Sequence, residues 1–210
     1  MMRIDSLKTS SDRAGRYWVT FSDGSKLGLY RQTVEDFGLY TGLELSQQQF
    51  SDLQTAAGMM SAKMRAVRIV SASSVSKKDL EQRLVRKGED PQQAKQAVEW
   101  MEDLHLVNDR NTAEQVVHSC ISKGYGLSRA KQALFEKRIP KEYWEEALSD
   151  YPDQTEAIES FLRSRLDSDS DEKQKKKAVD ALLRRGHSYA AVRRVMNELS
   201  FDPEDYFEDL

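Results

Sequence analysis

Basic side chains give this 210-residue sequence its most evident chemistry, because they occur in blocks. The formal net charge is −3, from 32 Lys and Arg against 35 Asp and Glu. Residues 61–88 hold eight basic and two acidic residues, and residues 173–194 hold eight basic and one. Residues 142–162 hold seven acids and no Lys or Arg, and six acids lie within residues 198–210. Such local potentials attract phosphates or acidic protein surfaces, although a solvated helix face is the ordinary alternative.

An internal repeat places the basic residues at related positions. Residues 84–88, 134–138 and 182–186 share the order Leu, apolar, any residue, basic, then Gly or Arg. The spacings are 50 and 48 residues, and each copy has helical patterning before and after it. The sequence therefore predicts a unit of three helices, repeated three times, which stacks into a binding surface more naturally than into an active-site pocket.

The candidate partner-binding or DNA-binding residues are the cations of the three repeats and one tyrosine between two glycines. The tyrosine either stacks on a base or fills the space under its own loop, which is the commoner role. The candidates are Lys77, Lys78, Arg83, Arg86, Lys87, Tyr125, Arg129, Lys131, Lys137, Arg138, Lys176, Lys177, Arg184, Arg185, Arg193 and Arg194. Arg184 and Arg185 are predicted to point away from the apolar face of their helix.

The elements that must position these residues are mainly helical. Tyr17, Val19 and Phe21 alternate before an Asp-Gly turn, which predicts a β-hairpin within residues 1–45. From residue 47 an apolar stripe at helical spacing predicts a long helix with one buried face. The stripe comprises Phe50, Leu53, Ala57, Met60, Met64 and Val67.

The predicted fold is mainly α: three tandem three-helix repeats form an elongated curved body behind the small N-terminal β-hairpin element. The predicted divisions are the hairpin element at 1–45, repeat 1 at 46–110, repeat 2 at 111–150, repeat 3 at 151–200 and an acidic tail at 201–210.

Several classes of function have little support in the sequence. The single cysteine, Cys120, lies at core spacing and fits a reducing compartment. The three histidines of the sequence are isolated from one another and from the cysteine, so we expect no metal site, no catalytic residues and no cofactor. No apolar stretch reaches the length of a membrane span, and the N-terminus lacks the apolar core of a signal peptide. We therefore expect a cytoplasmic, monomeric chain without membrane contact.

Three segments resemble a known family. Residues 76–88 resemble the first-repeat signature of the RecX regulatory proteins, with a serine, an acid-Leu pair, a Leu four positions on and then Lys-Gly. Residues 106–109 resemble the segment that closes their first repeat, and residues 123–126, Lys-Gly-Tyr-Gly, resemble the start of their second. The resemblance covers residues 52–200. Thr112, Leu127 and Arg138 stand where the family usually has an aromatic residue, a proline and a glycine.

The resemblance implies a non-enzymatic regulator of the RecA recombinase. It implies binding to RecA and to its filament on single-stranded DNA. It further implies modulation, most often inhibition, of RecA ATPase, strand exchange and filament growth in homologous recombination, DNA repair and the SOS response. With a net charge of −3 we expect only weak binding to free DNA. Two alternatives stay open: a helix-turn-helix-like sequence-specific DNA-binding regulator, and a helical scaffold for another protein.

Overall fold

The computed structural model describes residues 1–11, 15–167 and 169–201, so most of the predicted acidic tail lies outside the described residues. The chain forms two compact units, of which the first is Met1–Val107 and the second begins at Asn108. The strands are β1 (Met2–Thr9), β2 (Arg16–Phe21), β3 (Lys26–Tyr30) and β4 (Glu44–Leu45). The helices are α1 (Arg31–Asp36), α2 (Gln47–Ala72), α3 (Lys77–Arg86), α4 (Pro91–Asp103), α5 (Asp109–Ser122), α6 (Leu127–Glu136), α7 (Trp144–Leu148), α8 (Thr155–Arg163), α9 (Glu172–Arg184) and α10 (Tyr189–Glu198), with a 3₁₀ turn at Lys141–Tyr143 before α7.

The predicted hairpin is confirmed, but it is part of a larger sheet. Strands β2 and β3 are joined by the Asp-Gly turn, in which Asp23 Oδ1 accepts a 2.9 Å hydrogen bond from the Ser25 N–H. Two further antiparallel strands give the order β3-β2-β1-β4. The sequence does not predict β1, because a register shift between Ile4 and Ser6 interrupts its alternation.

The long predicted helix is confirmed as α2, but it buries two different faces. Leu53 and Ala57 pack in the core under the sheet. Ala62 and Ala66, further along the helix, are fully buried in the core of the first repeat. The predicted stripe is thus correct only in its first half, and its later members are half-buried.

The three tandem three-helix repeats are confirmed. Repeat 1 comprises the C-terminal half of α2 with α3 and α4, repeat 2 comprises α5, α6 and α7, and repeat 3 comprises α8, α9 and α10. Each repeat has its own hydrophobic core, in which the Leu of the repeated pattern is fully buried: Leu84, Leu134 and Leu182. The predicted residue divisions of the domains stay a prediction.

Local capping fixes where the third helices begin. Asp90, directly before Pro91, accepts hydrogen bonds at Oδ1 from the N–H groups of Gln92 and Gln93, at 2.9 and 3.1 Å. Ser188 Oγ accepts a 3.1 Å bond from the Ala191 N–H at the start of α10. Within the described residues, no helix combines the length and the apolar character that crossing a membrane requires.

Candidate functional site

The second helix of every repeat ends on a basic residue followed by a left-handed turn. The basic residues at the C-caps are Lys87, Lys137 and Arg185. The residues that follow have φ angles of 90°, 55° and 84° at Gly88, Arg138 and Gly186 respectively. A cation here also lies favourably near the negative end of the helix dipole. The repeated pattern therefore encodes a helix end that carries a positive charge.

The same two backbone hydrogen bonds close all three helices. In repeat 3 the Gly186 N–H donates to Leu183 O at 2.9 Å, and the His187 N–H donates to Leu182 O at 3.2 Å. Bonds between equivalent residues end α3 and α6. This is the Schellman arrangement, which favours glycine because the left-handed region strains other residues. Arg138 adopts it without being glycine.

In repeat 1 the candidate cations divide into internal and exposed ones. Lys77 Nζ lies 2.8 Å from Glu102 on α4. Arg83 pairs at 2.8 Å with Asp79, whose side chain is only 5% exposed. Those two cations neutralise carboxylates of their own repeat. The exposed candidates of this repeat are Lys78, Arg86 and Lys87.

In repeat 2 only one candidate cation is exposed. Arg129 pairs with Glu136 at 3.1 Å across α6. Lys137 and Arg138 are half-buried, whereas Lys131 is exposed in the middle of α6. This repeat therefore presents less positive charge than the pattern predicts.

In repeat 3 the exposed candidates lie on α9 and α10. Arg194 Nη2 donates a 2.6 Å hydrogen bond to Thr155 Oγ1, and its guanidinium lies 3.8 Å from Asp153. Lys177 and Arg184 are seven positions apart on α9, which places them on one side of the helix. The exposed candidates of this repeat are Lys176, Lys177, Arg184, Arg193 and Arg194.

Arg185 and Tyr125 are used inside the second unit, between repeats 2 and 3. The Arg185 guanidinium carbon lies 4.8 Å from the ring centroid of Phe161 and 5.8 Å from that of Tyr125. Its Nη1 donates a 3.4 Å bond to Lys123 O, and the hydroxyl of Tyr151 donates to Tyr125 O at 2.7 Å. These contacts hold Arg185 within the second unit, whereas its neighbour Arg184 is exposed.

Two glycines allow repeats 2 and 3 to meet backbone to backbone. The Gly126 N–H donates a 2.9 Å bond to Arg185 O. A Cβ at Gly126 would lie 2.0 Å from Gly186 O, and a Cβ at Gly186 would lie 2.3 Å from the Arg129 nitrogen. The glycines of the Lys-Gly-Tyr-Gly segment thus allow a close backbone contact between repeats 2 and 3. The sequence alone does not reveal this role.

Exposed apolar side chains are the feature that the sequence analysis missed. The second position of the repeated pattern is 38% exposed at Val85 and 70% exposed at Phe135. Trp18, on the sheet, is 51% exposed. The signal was available, because the pattern places an apolar residue beside a buried Leu on a short helix, where both cannot face one core.

The described residues bring together no group of three or more His, Cys, Asp and Glu side chains with metal-binding geometry. Burial raises the pKa of the Cys120 thiol above its usual value, which keeps it protonated and makes it a poor nucleophile. Burial lowers the pKa of His187, whose Nε2 lies 3.0 Å from Gly124 O. Both groups belong to the packing of the repeats.

Three tandem three-helix repeats define the class of helical-repeat proteins. Comparison with known proteins narrows this class. Residues 108–148 match the family model described as RecX, second three-helix domain. The regulatory protein RecX of Clostridioides difficile is 25% identical over 97% of both chains, and that of Streptococcus gordonii is 25% identical over 90% of this chain and 74% of its own.

Solved structures agree on the fold. A crystal structure of regulatory protein RecX aligns with a TM-score of 0.62 at 20% identity, over 94% of this chain and all of the other. RecX from Lactobacillus salivarius aligns with a TM-score of 0.59 at 24% identity, over 70% of this chain and 99% of the other. Over most of its length the chain is therefore similar in sequence to regulatory proteins named RecX, and it shares the fold of the solved RecX structures.

Proposed function

We propose that this chain restrains RecA by docking along the RecA filament on single-stranded DNA, with the exposed cations of its repeats making the electrostatic contacts. The observation that carries the proposal is the set of exposed candidate cations that form no ion pair with another described residue. These are Lys78, Arg86, Lys87, Lys131, Lys177 and Arg184.

The net charge of −3 supports docking on a filament over coating of free DNA. A protein that binds naked duplex depends on many phosphate contacts, and general acidity opposes them. Scattered exposed cations on an acidic chain are suited to the surface of a protein–DNA filament, where protein side chains and DNA phosphates alternate. DNA binding without RecA is then weak, and the chain acts as a monomer without chemistry of its own.

The test is the single-stranded-DNA-dependent ATP hydrolysis of RecA, titrated with the purified full chain. We expect loss of hydrolysis at sub-stoichiometric amounts of the chain. Charge reversal at Lys177→Glu and Arg184→Glu together is expected to raise the amount needed at least fivefold. Arg185 is left intact, because its contacts with Tyr125 and Phe161 serve folding.

The matched control is Lys95→Glu with Lys141→Glu, which makes the same change in net charge at two exposed lysines outside the candidate set. We expect it to act as the unaltered chain does. If the unaltered chain leaves both ATP hydrolysis and filament lifetime unchanged, the proposal is wrong. A sequence-specific DNA regulator would instead discriminate among duplex sequences, which the same preparation tests directly.

A further inference from the structure

The solvent face of the N-terminal sheet is centred on Trp18. Trp18 on β2 pairs directly with Lys8 on β1 and with Gly28 on β3. Residues paired across antiparallel strands place their side chains on the same face. The opposite face of β2 carries Val19 and Phe21, which are buried in the core under the sheet. Trp18 and Lys8 therefore project from the side that turns away from this core.

Gly28 lets the indole lie against the backbone of β3. A Cβ at Gly28 would lie 3.3 Å from Cζ3 of Trp18. The ring thus covers one neighbouring strand while half of its surface stays exposed. A tryptophan over a glycine also stabilises a sheet by itself, so the aromatic ring alone does not define a binding site.

The surroundings of Trp18 supply the second observation. A cleft of about 490 Å³ opens beside the ring, and Lys8 and Lys26 line it together with serine and threonine hydroxyls. The described residues that line this cleft include no carboxylate. Both lysines are exposed. The chain has more acids than bases, so an aromatic ring that lies between two lysines, with no acid among the described lining residues, is an unusual local concentration of positive charge.

Arg16 extends the positive charge along the same face. It lies two positions before Trp18 on β2 and therefore projects from the same side. Its guanidinium carbon lies 4.0 Å from the Tyr30 ring centroid, and its Nη2 donates a 2.7 Å hydrogen bond to the Tyr30 hydroxyl. Tyr30 thus holds this cation in place at the edge of the face.

We propose that this face binds a single-stranded nucleic-acid segment, with one base stacked on Trp18 and neighbouring phosphates at Lys8 and Lys26. A base supplies the flat partner that the exposed ring fits, and the phosphates on either side supply the anions. A duplex keeps its bases stacked on one another and offers only phosphates. This site goes beyond the proposed function, since it takes nucleic acid directly and on a different element from the repeats.

The test is fluorescence anisotropy of labelled twelve-residue oligonucleotides with the full chain, in three arms: oligo(dT), oligo(rU) and a twelve-base-pair DNA duplex. Trp18→Leu covers Gly28 without an aromatic face, whereas Trp18→Phe keeps one. We expect Trp18→Leu to weaken oligo(dT) binding on the order of tenfold, and Trp18→Phe to retain most of it. Thermal unfolding of each variant shows whether the sheet is intact.

Charge reversal provides an arm that leaves the aromatic ring unchanged. Lys8→Glu with Lys26→Glu is expected to weaken binding at least tenfold. Loss of two phosphate contacts also lowers the slope of log K against log salt by about 1.4. The Lys95→Glu, Lys141→Glu control is expected to change affinity less than twofold.

The site would be overturned if oligo(dT) binding were unchanged in Trp18→Leu or in the Lys8→Glu, Lys26→Glu variant. It would also be overturned if Trp18→Leu and Trp18→Phe lost the same affinity. A duplex that binds as tightly as oligo(dT) would contradict it too. Equal binding of oligo(dT) and oligo(rU) supports a site for single strands of either sugar, and preference for one identifies the natural ligand class. RecA is absent from this assay, so its outcome is separate from that of the ATP hydrolysis test.

Discussion

The second helices of repeats 1 and 3 end in the same backbone conformation, but the glycines at these ends have different surroundings. Gly88 and Gly186 both have left-handed φ angles, and both donate the same helix-closing hydrogen bond at 2.9 Å. A Cβ added at Gly88 would meet no atom within 4 Å, whereas a Cβ added at Gly186 would lie 2.3 Å from the backbone nitrogen of Arg129. Gly88 is needed only for its left-handed conformation. Gly186 is needed both for that conformation and because a side chain would collide with Arg129.

The residue after each glycine shows the same contrast. Glu89 and His187 are both buried, at 8% and 4% exposure. Glu89 is neutralised by Arg65 of α2 at 2.6 Å and accepts a hydrogen bond from Ser61 at 3.0 Å. His187 instead contacts Gly124 O of the neighbouring repeat. Equivalent positions thus acquire polar partners from whichever element lies next to them.

The largest effect is expected from placing a methyl group at the two glycines. Gly186→Ala combines left-handed strain with collision against Arg129 and is expected to cost about 3 kcal/mol. Gly88→Ala carries only the strain and is expected to cost about 1 kcal/mol. Urea unfolding followed by circular dichroism measures both. Equal losses at the two sites would remove the distinction between them.

Removing the partner of Glu89 is expected to have the next largest effect. Arg65→Ala leaves the Glu89 carboxylate, which is 7% exposed, with the hydroxyl of Ser61 as its hydrogen-bond donor. Because Arg65 itself is partly exposed, the expected loss of unfolding free energy is about 2 kcal/mol, below the range for a fully buried pair. The double variant Arg65→Ala, Glu89→Gln is expected to lose less, since it leaves no charge unpaired. Wild-type stability in Arg65→Ala would contradict the role given to this pair.

The pH dependence of stability is expected to distinguish repeat 3 from repeat 1. Burial is the main cause that lowers the pKa of His187 below its ordinary 6.5, and Nδ1 has no hydrogen-bond partner among the described residues. The unfolded chain therefore takes up a proton near pH 6.5, and the folded chain takes it up only at a lower pH. Stability should fall as the pH drops below about 6.5, by up to about 1.4 kcal/mol per pH unit.

The measurement is urea unfolding at intervals from pH 7.5 to pH 5. His187→Gln keeps an N–H donor for Gly124 O and does not titrate, so it should show a shallower dependence over this range. Identical slopes for the two proteins would show that His187 is not the group responsible.

The smallest effect is expected at the equivalent position of repeat 2. Arg138 has a φ of 55°, in the conformation that Gly88 and Gly186 adopt without strain. Arg138→Gly is expected to raise the free energy of unfolding by about 1 kcal/mol. The measurement is the urea midpoint, with Lys131→Gly, in the interior of α6, as a control that should lower stability by a similar amount. A loss of stability in Arg138→Gly would mean that the contacts of the arginine side chain outweigh the backbone strain.

Parts of the fold that rest on short-range patterns could be predicted. The hairpin was predicted from alternation and an Asp-Gly turn, and the three repeats were predicted from the pattern shared by residues 84–88, 134–138 and 182–186. The prediction of a single buried stripe along α2 was correct only for the first half of the helix. That helix packs against the sheet near Leu53 and against repeat 1 near Ala62, so its buried side changes along its length.

That the candidate cations bind a partner stays a prediction, and the structure adds which of them are paired within the protein. The repeated pattern located the cations, but charge spacing does not show which carboxylates lie nearby. Arg83 and Arg129 pair within their own helices, and Arg185 stacks between two repeats. Trp18 went unnoticed because an aromatic residue in an alternating strand has two possible faces, and the core selects one only after the sheet and α2 assemble.

The sequence by itself determined the hairpin and the three copies of the repeated pattern, because these depend on neighbours within a few residues. The tertiary structure decided what each helix end touches. Gly186 fits against Arg129, His187 lies on Gly124 O and Arg185 lies over Phe161 because repeats 2 and 3 meet there. The equivalent residues of repeat 1 have other neighbours. Burial and pairing are properties of assembled elements, and identical local patterns carry no information about which element will lie against them.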